Sequence, residues 1–162
     1  MKRKPVPSRQ TRRLSISSTA PEVVLSKRYI ESSALVAAVL EGDTAAKASI
    51  RAQGQRVTSA LTVAETSRAV LRARLSRRIT AQQERAAMLT LQRFTRRCHM
   101  VSITEAILAH VGRPFPVEPI RTLDAIHLAT AEALGDPSAL VTIVTRDLRV
   151  RDNATALGHP VE

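Results

Sequence analysis

One cysteine, no tryptophan and three aromatic side chains (Tyr29, Phe94 and Phe115) are a thin supply for 162 residues. Each shortage removes a class of protein. The lone Cys98 rules out an internal disulfide framework and a cysteine-rich zinc site, and reads as an ordinary core thiol in a reducing compartment. So few aromatics leave an interior of Ala, Leu, Val and Ile, and little capacity for base stacking. No stretch approaches the roughly 18 uncharged apolar residues of a membrane span, and the N-terminus lacks the apolar run of a secretory signal. These absences fit a soluble, cytoplasmic protein with no membrane partner.

Negative charge is scarce as well. Against 25 Lys and Arg stand 14 Asp and Glu, a net +11 that attracts polyanions. Residues 1–27 hold seven basic residues and one acid, so they carry +6 and the remaining 135 residues carry +5. This segment is rich in Ser, Pro and Arg, shows no apolar period, and cannot bury enough surface to offset its ordering entropy. It is expected to be a disordered basic extension. A nucleic-acid-binding arm and a merely solvated tail both remain open for it.

What is present from residue 28 to 162 suffices for one domain, with 44% hydrophobic residues over the whole chain. Short β-like runs alternate with helical stretches. The strands are expected at Arg28–Glu31, Arg56–Ser59, His99–Ile103 and Leu140–Thr145, with a short edge strand at 160–162. A helix capped by Ser32 or Ser33 carries Leu35, Val36, Val39 and Leu40, and Gly42-Asp43 separates it from a second one over Thr44–Gln53. A long basic helix follows from Leu61, with Ala64, Val70, Leu71 and Leu75 expected inside and Arg68, Arg72 and Arg78 on other faces. Further helices are expected over Thr80–Arg96 (Ala87, Leu91 and Phe94 inward), 104–112, Thr122–Leu134 and 147–157. Prolines 114, 116 and 119 force a loop between two of them. Strands joined through helices imply a three-layer α/β/α fold with a mostly parallel central sheet.

Functional groups in such sheets gather beyond the carboxyl ends of the strands. Four acids fall there: Glu31 after the first strand, Glu65 shortly after the second, Asp124 opening a late helix, and Asp147 after the fourth. Each has a local alternative. Thr62-x-x-Glu65 has capping-box spacing, Asp124 could serve the positive end of its helix, and Asp147 could cap the last one. Together, four carboxylates on one rim would repel one another without a cation, and oxygen ligands suit Mg²⁺ or Mn²⁺. His127, one turn after Asp124, reads as a packed or hydrogen-bonded residue outside the metal shell.

These residues resemble PIN-domain nucleases, and most closely the VapC-type ribonuclease toxins of bacterial toxin–antitoxin pairs. Tyr29-Ile30-Glu31-Ser32-Ser33-Ala34-Leu35 is similar to the opening strand motif, where an Asp normally stands at Glu31. Thr62-Val63-Ala64-Glu65, followed by Arg68 and Leu71, matches the second acidic motif. Leu123-Asp124-Ala125-Ile126-His127-Leu128-Ala129-Thr130-Ala131 matches the third, and Thr145-Arg146-Asp147 the last. The resemblance implies a PIN-like nuclease domain over 28–162 that cleaves RNA phosphodiesters with Mg²⁺ or Mn²⁺. It assigns Glu31, Glu65, Asp124 and Asp147 to the catalytic metal site, Ser33 and Thr145 to hydrogen bonds that support it, and Arg68, Arg72 and Arg146 to the RNA backbone. It further implies a VapB-like antitoxin partner and a homodimer. A second reading stays open, a degenerate PIN domain that binds RNA or a protein without cutting, because Glu31 replaces the Asp. A phosphohydrolase on a similar sheet is disfavoured, since the first strand lacks an Asp-x-Asp pair.

Overall fold

The computed structural model describes residues 26–162. Residues 1–25, and with them nearly all of the expected basic extension, lie outside the described residues. Strand β1 (Lys27–Ile30) is followed by helix α1 (Ser32–Val36), which winds on as a wider π turn over Ala37–Glu41, and by α2 (Thr44–Arg51). Next come β2 (Gln55–Ser59), α3 (Ala60–Leu75), α4 (Ala81–Thr95) and β3 (His99–Val101). The chain closes with α5 (Glu105–Val111), α6 (Thr122–Glu132), β4 (Val141–Val144) and α7 (Leu148–Ala156).

All strand pairs are parallel, in the order β3-β2-β1-β4. Because the chain builds outward from β1 to β3 and then returns to lay β4 on the other side of β1, the order reverses between β1 and β4. A crevice opens at the carboxyl ends of strands at such a reversal. Val161 adds a parallel bridge to Ile143, so the expected edge strand is a single bridge.

Alternation along the strands feeds two cores. Tyr29, Val57, Val141 and Ile143 pack toward α5, α6 and α7, with Ile107, Leu128 and Val150. Ile30 and Val144 point the other way, against Leu35, Ile50 and Leu91 of α1, α2 and α4. The result is three layers, as the sequence implied. Tyr29 and Ile30 are both fully buried, so β1 serves both faces, as a central parallel strand does.

Several local expectations are corrected. Glu31, rather than Ser32 or Ser33, is the N-cap of α1: its carboxylate accepts the Ser33 amide. Ser59 caps α3, whose first residue is Ala60, so Thr62 is already in the helix and there is no Thr62–Glu65 capping box. The inner face of α3 is Thr62, Thr66, Ala69, Val70 and Ala73, while Leu71 and Leu75 face solvent and Ala64 is exposed. Apolar spacing alone missed this, because buried threonines bond to the end of the sheet: Thr62 donates to the Ile30 carbonyl, as does Thr58 from β2. Strand β3 is three residues long rather than five. Cys98 is partly exposed rather than a core thiol, and burial raises its thiol pKa to about 11, which keeps it inert. Gly42 sits at φ +73° and stops the π turn, a conformation that suits glycine.

Candidate active site at the carboxyl edge of the sheet

Glu31 follows β1 directly, and its amide bonds the Val144 carbonyl of β4, so the backbone aims its side chain into the crevice. The carboxylate is buried and held from several sides. Ser32 Oγ donates to Oε1 at 2.6 Å and the Ser33 amide at 3.0 Å. Thr145 Oγ1 donates to Oε2 at 2.8 Å, and Ser33 Oγ reaches the same oxygen. Ser33 Oγ in turn accepts the amides of Arg146 and Asp147 at 2.7 and 3.1 Å. Ser33 and Thr145 thus tie Glu31 to the turn after β4.

Glu65 projects from the second turn of α3 to meet His127 of α6. Glu65 Oε2 lies 2.7 Å from His127 Nε2, and Glu31 Oε1 is 3.6 Å from the same nitrogen. On its far side His127 Nδ1 lies 2.9 Å from the Tyr29 hydroxyl, which donates to Ser59 Oγ at 3.2 Å. At 2.7 Å from a carboxylate oxygen, Nε2 carries a proton and donates it to Glu65, while the contact between Nδ1 and the phenol holds the ring in place. Burial would push the Glu65 carboxyl up, but the hydrogen bond from His127, together with Ser32 and the charges of His127 and Arg72, holds it below its usual value. Burial also raises the pKa of Tyr29, so the phenol stays protonated.

Asp124 lies in the first turn of α6, where a helix N-terminus favours a negative charge. Its Oδ2 is nevertheless buried without a hydrogen-bond partner. Burial first, then the charges of Asp147 and Glu31, push its carboxyl above the usual range. Asp147 caps α7, with Oδ1 accepting the amides of Arg149 and Val150 at 2.7 and 3.3 Å. The local alternatives for Asp124 and Asp147 thus hold as well, and both residues face the shared rim.

Glu31, Glu65 and His127 offer ligand atoms within 4.8 Å of one another, the one such group among the described residues. Two carboxylate oxygens and an imidazole nitrogen make a donor set that a divalent cation fits, and beside them the partnerless Oδ2 of Asp124 is crowded by the charges of Asp147 and Glu31, a repulsion that a cation would offset. His127 is the member that sequence reasoning left out. Its signal was its spacing: one turn after Asp124, it lies on the same face of α6.

The basic candidates divide. Arg68 and Arg72 are exposed and, with Ala64, Glu65 and Leu123, line a cavity of about 300 Å³ beside the acids. Arg146 instead points its Nε at Asp43 Oδ2, 2.9 Å away, and the Arg146 hydrogen bond is the main cause that holds the Asp43 carboxyl below its usual value.

A family profile described as the PIN domain matches residues 28–155. Ribonuclease VapC46 of Mycobacterium tuberculosis is 41% identical over 135 residues, spanning 82% of this chain and 94% of the relative. Ribonuclease VapC35 of the same species is 34% identical over 137 residues, spanning 82% and 93%. Among solved structures, VapBC2 from Rickettsia felis, bound to a DNA fragment from their promoter, shares the fold with a TM-score of 0.58 at 14% identity, over 84% of this chain and 97% of that one.

Proposed function

The chain belongs to the PIN-domain family, and from that premise we propose that it is a divalent-metal-dependent endoribonuclease, the toxin of a toxin–antitoxin pair. The observation that carries the reading is the orphaned, charge-crowded Asp124 carboxylate on a rim shared with Glu31, Glu65 and Asp147. Its relatives VapC46 and VapC35 are named ribonucleases.

Glu31, Glu65, Asp124 and Asp147 would hold Mg²⁺ or Mn²⁺, with His127 Nε2 in reach of the same ion. The cation supplies Lewis acidity toward an attacking water and neutralises charge on the transferring phosphoryl group. The protein supplies the frame. Ser33 and Thr145 fix Glu31, and Tyr29 fixes His127, which fixes Glu65, so the acids need little reorganisation when substrate arrives. Arg68 and Arg72 border the cavity beside Glu65 and meet the RNA backbone, whereas the Arg146 guanidinium stays on Asp43. Three hydroxyls, of Ser32, Ser33 and Thr145, hold the Glu31 carboxylate in place on the rim.

The partner is proposed to be a DNA-binding antitoxin that covers the acidic rim, on the analogy of the promoter-bound VapBC2 pair, and the toxin is proposed to act as a homodimer. No helix among the described residues is long and apolar enough to cross a membrane.

The test is cleavage of a mixed tRNA and ribosomal RNA pool with Mg²⁺, with Mn²⁺ and with chelator. Cuts are expected only with metal, and Asp124→Asn or Asp147→Asn should lower the rate by at least about 100-fold, on the scale of losing one electrostatic stabiliser. Glu31→Asp should raise the rate or the metal affinity. Equal cutting by Asp124→Asn and the parent would refute the mechanism, and RNA binding without cuts under any metal would favour the degenerate reading.

A further inference from the structure

Away from the acids, a second cavity of about 350 Å³ lies between α2, α4 and the start of β2. Lys47 and Arg51 of α2, Arg56 of β2, Arg93 of α4 and Arg97 just after it line it, and no acid does. None of the five takes part in an ion pair among the described residues. Three nearby acids are engaged elsewhere, Asp43 with Arg146, Glu84 with Arg74, and Glu162 with Arg28, and Glu41 of the adjoining π turn is exposed and does not line the cavity. Lys47 and Arg51 are one helical turn apart on α2, and Arg93 in the last turn of α4 is followed by Arg97 just past its end. Like charges at that spacing destabilise a helix, so the arrangement works against the fold unless an anion offsets it. Arg56 adds to it, as the sheet partner of Arg28 it points to the same face.

The floor of this cavity is apolar, with Leu35, Ile50 and Phe94. Of the chain's three aromatics, Tyr29 and Phe115 are buried and Phe94 is only partly so. A basic rim around an aromatic floor suits single-stranded nucleic acid, whose phosphates meet the cations while a base stacks on the ring. The volume is that of a small-molecule pocket, enough for a nucleotide. Arg56 precedes Ser59 by three residues, so the cavity sits about 10 Å back along β2 from the catalytic edge.

We infer that this cavity is an RNA exosite, which grips a single-stranded stretch of the substrate by its phosphates and one stacked base, outside the acidic centre. The inference rests on the proposal that the substrate is RNA. An exosite of this kind would raise affinity for RNA long enough to reach both places and leave short fragments unaffected.

The test uses the full chain carrying Asp124→Asn, so that labelled single-stranded RNA of mixed sequence is bound and not cut. Arg93→Gln/Arg97→Gln is compared with Arg85→Gln/Arg113→Gln, which removes the same charge from exposed sites elsewhere. The pocket pair should weaken binding about tenfold and lower the slope of log affinity against log salt by about 1.4, for two lost phosphate contacts on a single strand. Equal losses in the two pairs would reduce the effect to net charge, and unchanged binding in the pocket pair would overturn the exosite. Retained RNA binding with lost binding of an acidic peptide would overturn it in favour of a protein partner. If the parent with intact Asp124 cuts nothing while the pocket pair still loses RNA affinity, the nuclease reading fails and the exosite stands.

Discussion

Asp124 shows how a single residue trades stability for chemistry. Its carboxyl is pushed above the usual range by burial, Asp147 and Glu31, in that order, so at neutral pH its ionised form opposes folding. Without metal, Asp124→Asn should therefore unfold at an equal or higher urea concentration than the parent, even as it is expected to lose cleavage. A lower midpoint would show that the helix N-terminus more than offsets the crowding. Mn²⁺ should stabilise the parent, by about 2.7 kcal/mol at one hundred times its dissociation constant, and this gain should shrink in the variant. Glu31 and Asp147 stood out in the sequence because they follow the ends of β1 and β4, whereas Glu65 and Asp124 sit in the early turns of α3 and α6. His127 was not assigned there, since an imidazole on a helix face has a bland explanation, and only the Tyr29 contact reveals how it is fixed.

Helices α3 and α4 set the limits of pattern reading at the level of the element. On α4 the spacing was sufficient: Ala87 and Leu91 are buried and Phe94 is partly so, with Thr80 and Gln83 closing a capping box at the start. On α3 it failed, because the helix buries Thr62, whose hydroxyl finds the Ile30 carbonyl at the sheet end, together with Thr66, and turns Leu71 and Leu75 outward. Leu91→Ala should cost about 2–5 kcal/mol in denaturant unfolding, as a core truncation. Leu75→Ser, at a side chain 73% exposed, should change stability by no more than about 0.5 kcal/mol. A large loss at Leu75 in the isolated chain would mean that this face is covered, as by a second copy. The edge strand β3 was overextended for a related reason: a β-like run tells where a strand can form, whereas pairing with Val57–Ser59 decides where it ends.

Across the whole molecule, the two ends of the described chain are fastened together. Arg28 of β1 is 5% exposed, donates to the Ser49 carbonyl at 3.0 Å, and forks onto both carboxylate oxygens of Glu162. That hydrogen bond is the first cause of a Glu162 pKa held below the usual range. A lowered pKa contributes stability above the unfolded value of roughly 4.3, lost as pH falls through the folded value. Glu162→Gln should cost about 0.5–1 kcal/mol at neutral pH, because solvent around the 42% exposed Glu162 side chain screens the pair. The gap between parent and variant should narrow below pH 4; a gap independent of pH would remove the ion pair from the account. Fold class and layer order were readable from the alternation of elements alone, while this clasp was not, because an acid so near the end of a sequence carries no pattern. The strand order has one more effect, on timing. Glu31 meets Thr145 across 114 residues, and β1 must wait for β4 to complete its second edge. A ribosome delivers β1 well before β4, and pairings this distant in sequence form slowly. The growing chain therefore carries Glu31 without its Thr145 partner until β4 and the turn after it emerge, and a translation product interrupted before Thr145 lacks the turn that fastens Glu31 in place.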